Sequence, residues 1–299
     1  MGRRHGATAV SLALVVLSLV ALGWRGLALG IEFTGGALFD LHFPRAVALE
    51  PLRAAFDGGG LTGATVQFAG SERDVVLRLP TEGRVEVGEL SLRVEQAVAQ
   101  FMTGGVVESS ALVGPAVGGE LRDAAGLGAL ASLAAVGVYV MFRFAGMFAV
   151  GATVALLHDV VVTLGFFAVT GLTFDLPAFA AVLAIVGYSL NDTIVVYDRV
   201  RENLRRLRAV SPAEAINRSL NQTLERTLAM SGTTLFTVLA LLVFGGDSLR
   251  SFSSALTVGV VVGTYSSVYV ASSLLLTLGV SRRTVAAPER DADPEDEAP

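Results

Sequence analysis

An aspartate, an arginine and a histidine-aspartate pair sit inside runs that are otherwise Val, Leu, Ile, Ala and Gly. A carboxylate in hydrocarbon costs from about 2.5 kcal/mol upward, so an ionisable side chain there is a functional candidate by default. Asp192, in "VGYSLNDTIVVYDRVREN", lies roughly 8–10 Å inside the boundary marked by Tyr197 at 1.5 Å per residue, too deep for a short side chain to reach water. Arg226, in "LNQTLERTLAMSGTT", lies a similar number of residues into the following apolar run. If the two runs pack antiparallel, these charges meet at one depth. Alternatively, Arg226 snorkels to the inner surface.

Thr223, Thr227, Ser231 and Thr234 share one helical face beside Arg226, which suits a hydrated, proton-conducting seam and equally suits close helix packing. His158 and Asp159 fall near the centre of another run. An imidazole that titrates near neutrality beside a carboxylate can relay protons, but adjacent helical residues point about 100° apart, so the pair need not meet, and Asp159 can instead satisfy a buried hydroxyl.

The elements that must hold these residues are membrane spans. At 53% hydrophobic, 16% charged and mean hydropathy +0.63, the 299-residue chain is too apolar to solvate its own surface. A span needs about 20 apolar residues. Six stretches qualify: approximately Ala7 to Leu29, Leu121 to Phe142, Met147 to Gly171, Leu176 to Tyr197, Leu224 to Phe244 and Phe252 to Gly279. The first is long for a secretory signal and reads as an uncleaved anchor. On the last, Gly259 and Gly263 form a GxxxG packing signal.

Arginine clusters before the first span, between the second and third, between the fourth and fifth (Arg199 to Arg218) and after the sixth place both termini in the cytoplasm. The net charge of -5 belongs to the acidic tail; the remainder is neutral. No basic stripe suggests nucleic acid, there is no cysteine, and His5, His42 and His158 lack metal-ligand spacing. With no phosphate-cradling loop, nucleophile elbow or zinc helix, neither a cofactor nor catalysis is expected.

The expected organisation is a first span over 1–30, an outer domain over 31–120, spans two to six over 121–280 and a disordered acidic tail over 281–299. Within the outer segment, "ALFDLHF", "ATVQFAG", "DVVLRLP" and "GGVVESSALV" read as strands, and "AVALEPLRAAFDGG" and "EVGELSLRVEQAVAQF" as helices. The order strand, helix, strand, strand, helix, strand predicts a small α+β ferredoxin-like domain.

The motifs resemble those of the SecF branch of the SecDF protein-export family, within the resistance-nodulation-division (RND) superfamily. "GIEFTGG" supplies Gly30, Phe33, Thr34, Gly35 and Gly36, with Glu32 where the family usually has Asp; "VGPAVGGEL" supplies Gly114 and Pro115. "HDVVVTLGFF" covers His158 and Asp159, "LNQTLERT" covers Arg226, and the motif around Asp192 also holds Gly187, Asn191, Asp198 and Arg199. The resemblance implies half of an RND-type bundle that pairs with SecD, works beside the SecYEG channel with YajC as a further partner, and uses the proton-motive force to draw polypeptide outward across the bacterial inner membrane. It associates Asp192 and Arg226 with proton transport and gives His158 and Asp159 no assigned role. Alternatives are a proton-coupled exporter of lipids or small molecules on the same plan, an intramembrane aspartyl protease using Asp159 and Asp192, and a scaffold whose charges are structural.

Overall fold

The computed structural model describes residues 2, 4–80, 87–144, 146–207 and 209–281. The acidic tail lies outside them, as do Arg3, Arg208, Arg282 and Arg283. Helix α1 spans Arg4–Trp24, and a single turn, α2, spans Ile31–Thr34. An α+β unit follows: β1 Gly36–His42, α3 Leu49–Gly58, β2 Thr65–Ala69, β3 Ser71–Leu79, α4 Val87–Phe101 and β4 Val106–Val113. Then come α5 Pro115–Arg143, α6 Met147–Thr170, α7 Leu176–Arg206, α8 Pro212–Phe244 and α9 Arg250–Tyr265, a π-helical stretch Ser266–Ala271, and α10 Ser272–Thr277. Among the described residues six helical segments are long and apolar enough to cross a membrane, the last being α9, the π stretch and α10 together.

The helices do not end where the apolar runs end. α7 continues past Tyr197 to Arg206, and α8 begins at Pro212, well before Leu224. Hydropathy sees only the part of a helix that lipid must solvate, whereas capping sets its true ends. Ser211 accepts from Glu214 N at 3.3 Å and Asp175 from Ala178 N at 2.9 Å, each followed by a proline within the first turn. α1, by contrast, stops at Trp24 rather than Leu29. Arg25 turns aside to donate to Val169 O at 2.8 Å, and the chain runs on extended, with Phe174 N donating to Ala28 O and Gly30 N to Phe174 O.

Three segments form the centre of the bundle. In their most apolar stretches α6 is 56%, α7 50% and the final segment 44% buried, against 11% for α1, 6% for α5 and 17% for α8, which therefore present apolar surface outward. α7 and α9 approach closely at Gly259, where a Cβ would collide with the Ile185 side chain, and at Gly263, which faces Ser189. At the end of the bundle away from the sheet, Tyr197 stands edge-on to Phe144 and Phe148, and its hydroxyl donates to Ala271 O at 3.0 Å.

The outer sheet is antiparallel, in the order β2-β3-β1-β4. Alternate residues Ala37, Phe39 and Leu41 of β1 and Val75, Leu77 and Leu79 of β3 share a core with Leu52 and Phe56 of α3 and Val94 and Val98 of α4. The segment Gly30 to Gly36 joins this unit to the bundle. Phe33 is buried against Phe174, and Gly118 of α5 lies so near Gly35 that a Cβ would sit 2.5 Å from Gly35 N.

Candidate proton-relay site

Two buried carboxylates occupy the centre, each in its own polar setting. Asp159 of α6 is 1% exposed. One of its oxygens accepts from Ser189 of α7 at 2.5 Å and from Ser266, the first residue of the π stretch, at 2.7 Å. The other lies 2.9 Å from His158 Nδ1. The adjacent pair does meet, although backbone geometry alone points the two side chains apart, and Asp159 also satisfies buried hydroxyls. A carboxylate only accepts, so with Asp159 ionised Nδ1 must carry the proton. His158 Nε2 is buried with no partner among the described residues. A proton taken at Nε2 and one released from Nδ1 to Asp159 would move charge across the ring without the ring turning.

Asp192 of α7 is 2% exposed and faces α8. Ser231 of α8 and the more distant charge of Arg226 are the polar groups whose fields reach it. Ser231 is itself bonded by Tyr188 of α7 at 3.1 Å and Thr264 of α9 at 2.7 Å. Among the described residues one Asp192 oxygen is buried without a hydrogen bond, and so is Thr227 Oγ1, one turn before Ser231 on α8. An ionised carboxylate with an unsatisfied buried oxygen is an unfinished site, because a lost bond to a charge is expensive to leave unmade.

Asp192 and Arg226 do not form an ion pair among the described residues: Arg226 is exposed on α8. Asn191 and Gly187 are also exposed, on the outward side of α7. Within the hydroxyl stripe, Thr223 and Thr234 bond back to carbonyls of their own helix, leaving Thr227 and Ser231 as the members turned toward the seam. Asp198 pairs with Arg143 of α5 at 2.5 Å, and Arg199 bonds Gln222 of α8 at 2.6 Å and Glu202 of its own helix at 2.5 Å, so this end of the motif ties α7 to both α5 and α8. Gly114 and Pro115 start α5 and abut Gly35. Thr34 closes its own turn by donating toward Gly30 O and Gly35 O. No group of three or more metal-ligating side chains occurs among the described residues.

The spacing of acids did not reveal Ser189, Ser266, Tyr188 and Thr264. The hydroxyl-rich "TYSSVYVASS" was the available signal, obscured because serine in a span serves packing just as well.

The fold and its polar centre define the class: a polytopic helical membrane protein with two buried acids on adjacent central helices. Residues 93–281 match the family described as Protein export membrane protein SecD/SecF, C-terminal. Over 97% of its length the chain is 45% identical to Protein translocase subunit SecF of Pseudomonas aeruginosa, covering 94% of that protein. It is 44% identical to that of Vibrio alginolyticus, with 93% and 89% covered, and 39% identical to that of Escherichia coli O157:H7, with 93% and 87% covered. The crystal structure of SecDF from Thermus thermophilus, a translocon-associated membrane protein, superposes with a TM-score of 0.85 at 40% identity. The match covers 93% of this chain and 38% of that one. A SecDF structure in a super-membrane-facing form gives 0.68 at the same identity and coverage, so equal sequence likeness accompanies two arrangements. The chain belongs to the SecD/SecF protein-export family, and its kinship is with the accessory subunits of the protein translocase.

Proposed function

We propose that this subunit uses the proton-motive force to promote late steps of polypeptide export, as one half of an assembly with SecD. The observation that carries the proposal is Asp192, a buried mid-span carboxylate with an unsatisfied oxygen, beside a helix whose arginine is exposed. Asn191 and Arg226 are poor residues to offer to lipid, which supports a partner bundle packed against this side of α7 and α8 and completing the site. SecYEG, YajC, the translocating chain and protons are the further partners.

The strand order and connectivity of the outer unit support a ferredoxin-like domain over 31–120, between a first span over 1–30 and spans over 121–280. Arginines at the ends of α5 and α7 support cytoplasmic termini in the inner membrane of a bacterium, and no catalysis is assigned to the chain.

While Asp192 is ionised, the field of Arg226 and donors from the partner hold the helices in one packing. Protonation removes that attraction and the packing shifts. Asp159 and His158 form a second station one helix away. One proton falling through 100 mV releases about 2.3 kcal/mol, enough to bias a two-state rearrangement by a few tens-fold. In vesicles holding SecD and the translocon, Asp192→Asn is expected to abolish proton flux and proton-driven stimulation of export while expression and assembly stay normal. Retained stimulation would refute the proposal.

A further inference from the structure

The outer domain meets the ends of the helices at a charged junction that the buried acids do not use. Arg78, near the end of β3, donates through Nη2 to Thr173 Oγ1 in the turn between α6 and α7. Its Nε is buried with no partner among the described residues. Two residues past Thr173, Asp175 caps α7, accepting from Ala178 N at 2.9 Å and from Ser251 Oγ of α9 at 2.8 Å. The start of α7 is thus tied to α9. Glu32, in the α2 turn at the base of the outer domain, has a buried Oε2 that is likewise without a partner among the described residues.

These groups act on one another across the junction. Burial pushes the Arg78 guanidinium below its usual range, while the charges of Asp175 and Glu32 oppose that. An unbonded guanidinium N–H and an unbonded carboxylate oxygen, both buried and of opposite sign, leave a favourable contact unmade. There is space for the side chain to move. A cleft of about 150 Å³ lies between Arg78, Gln67, Asp175 and Ser251, and another of about 340 Å³ lies between Arg78, Thr34, Gly35 and Thr65.

The same α7 that Asp175 caps carries Asp192, seventeen positions further on and roughly 25 Å away along a helix rising 1.5 Å per residue. The junction and the buried carboxylate thus sit on one continuous helix whose start is braced to α9.

We propose that Arg78 is the positioning residue that couples the outer domain to α7, exchanging between Thr173 and Asp175 at the helix ends and Glu32 at the domain base. The inference rests on the proton-driven function above, and its test separates the two. In vesicles with SecD and the translocon, Arg78→Gln is expected to keep the Asp192-dependent proton flux of the unaltered chain. It is expected to lower proton-driven stimulation of export by at least about five-fold, the lower end of usual coupling between sites. The conservative Arg78→Lys, which keeps the positive charge that both Asp175 and Glu32 attract, is expected to keep most of the stimulation, a rescue by charge that packing alone would not give.

Undiminished stimulation in Arg78→Gln, or an Arg78→Lys that rescues nothing, overturns the coupling. Absence of flux from the unaltered chain instead overturns the proton-driven function. The chain has no cysteine, so Gln67→Cys with Ser251→Cys gives an independent reading across the smaller cleft. Cross-linking in the folded chain is expected to drop several-fold when Arg78→Gln is added, and an unchanged yield also overturns the coupling. If Arg78→Gln does not assemble, Thr173→Val removes only the hydroxyl and is expected to give the same uncoupling in weaker form; full stimulation there counts against the proposal.

Discussion

Asp159 and Asp192 solve the problem of a buried acid in opposite ways. The first is fully bonded by this chain's own hydroxyls and imidazole; the second is left with one oxygen unsatisfied. Both acids were legible in the sequence because hydrophobic runs make any charge conspicuous. The cage around Asp159 was not, since Ser189 and Ser266 lie on different helices and only tertiary packing brings them to one oxygen. Removing one donor by Ser266→Ala is expected to lower stability by about 0.6–1.7 kcal/mol. This is less than burial alone suggests, because a chain unfolded within the membrane also finds partners for its polar groups. Thermal melting in detergent, compared with Ser253→Ala on a serine that bonds only its own helix, measures the difference.

At the scale of elements, what was readable was whatever lipid dictates: the existence and order of the apolar runs, and the alternation that marks strands in the outer segment. What escaped was set by backbone bonding. α7 and α8 extend past their apolar runs and stay in contact there because Arg199 bonds Gln222 at 2.6 Å and Asn203 bonds Ser219 at 2.8 Å, and nothing in hydropathy reports that. The GxxxG on the last span was visible, and the packing gives it a location. Gly259→Val should force Ile185 out of its rotamer and separate α7 from α9, at a cost of about 1–3 kcal/mol. Melting of that variant should fall accordingly, whereas Gly232→Ala, where nothing lies within 4 Å, should change little.

The molecule as a whole joins a membrane bundle to a water-exposed domain, and the two should respond differently to acid. On the outer domain Asp74 is held below the usual carboxylate range, chiefly by the Ser71 hydroxyl and next by His42, each 2.5 Å away. A depressed carboxyl adds stability that is complete above its unfolded value of about 4 and lost as pH falls through the lower folded value. Protection of the outer-sheet amides, taken relative to their intrinsic exchange at each pH, is therefore expected to fall below about pH 4, and Asp74→Asn to remove that part of the acid response. The effect is modest because the carboxylate is 38% exposed and its charge is screened.

The π stretch from Ser266 to Ala271 fits one residue more into its turn than an α-helix would. The wide turn absorbs that extra residue, so the helix after it keeps the rotational phase of an uninterrupted α-helix. Deleting Val268 should therefore let the segment relax to ordinary winding with Ser272–Thr277 close to their present phase. Leu275, now completely buried, would stay buried, and Ser266 would keep its place near Asp159. A single missing codon there would thus be absorbed, whereas one lost from the α-helical turns just before it would rotate every later residue by about 100°, without altering any charged residue.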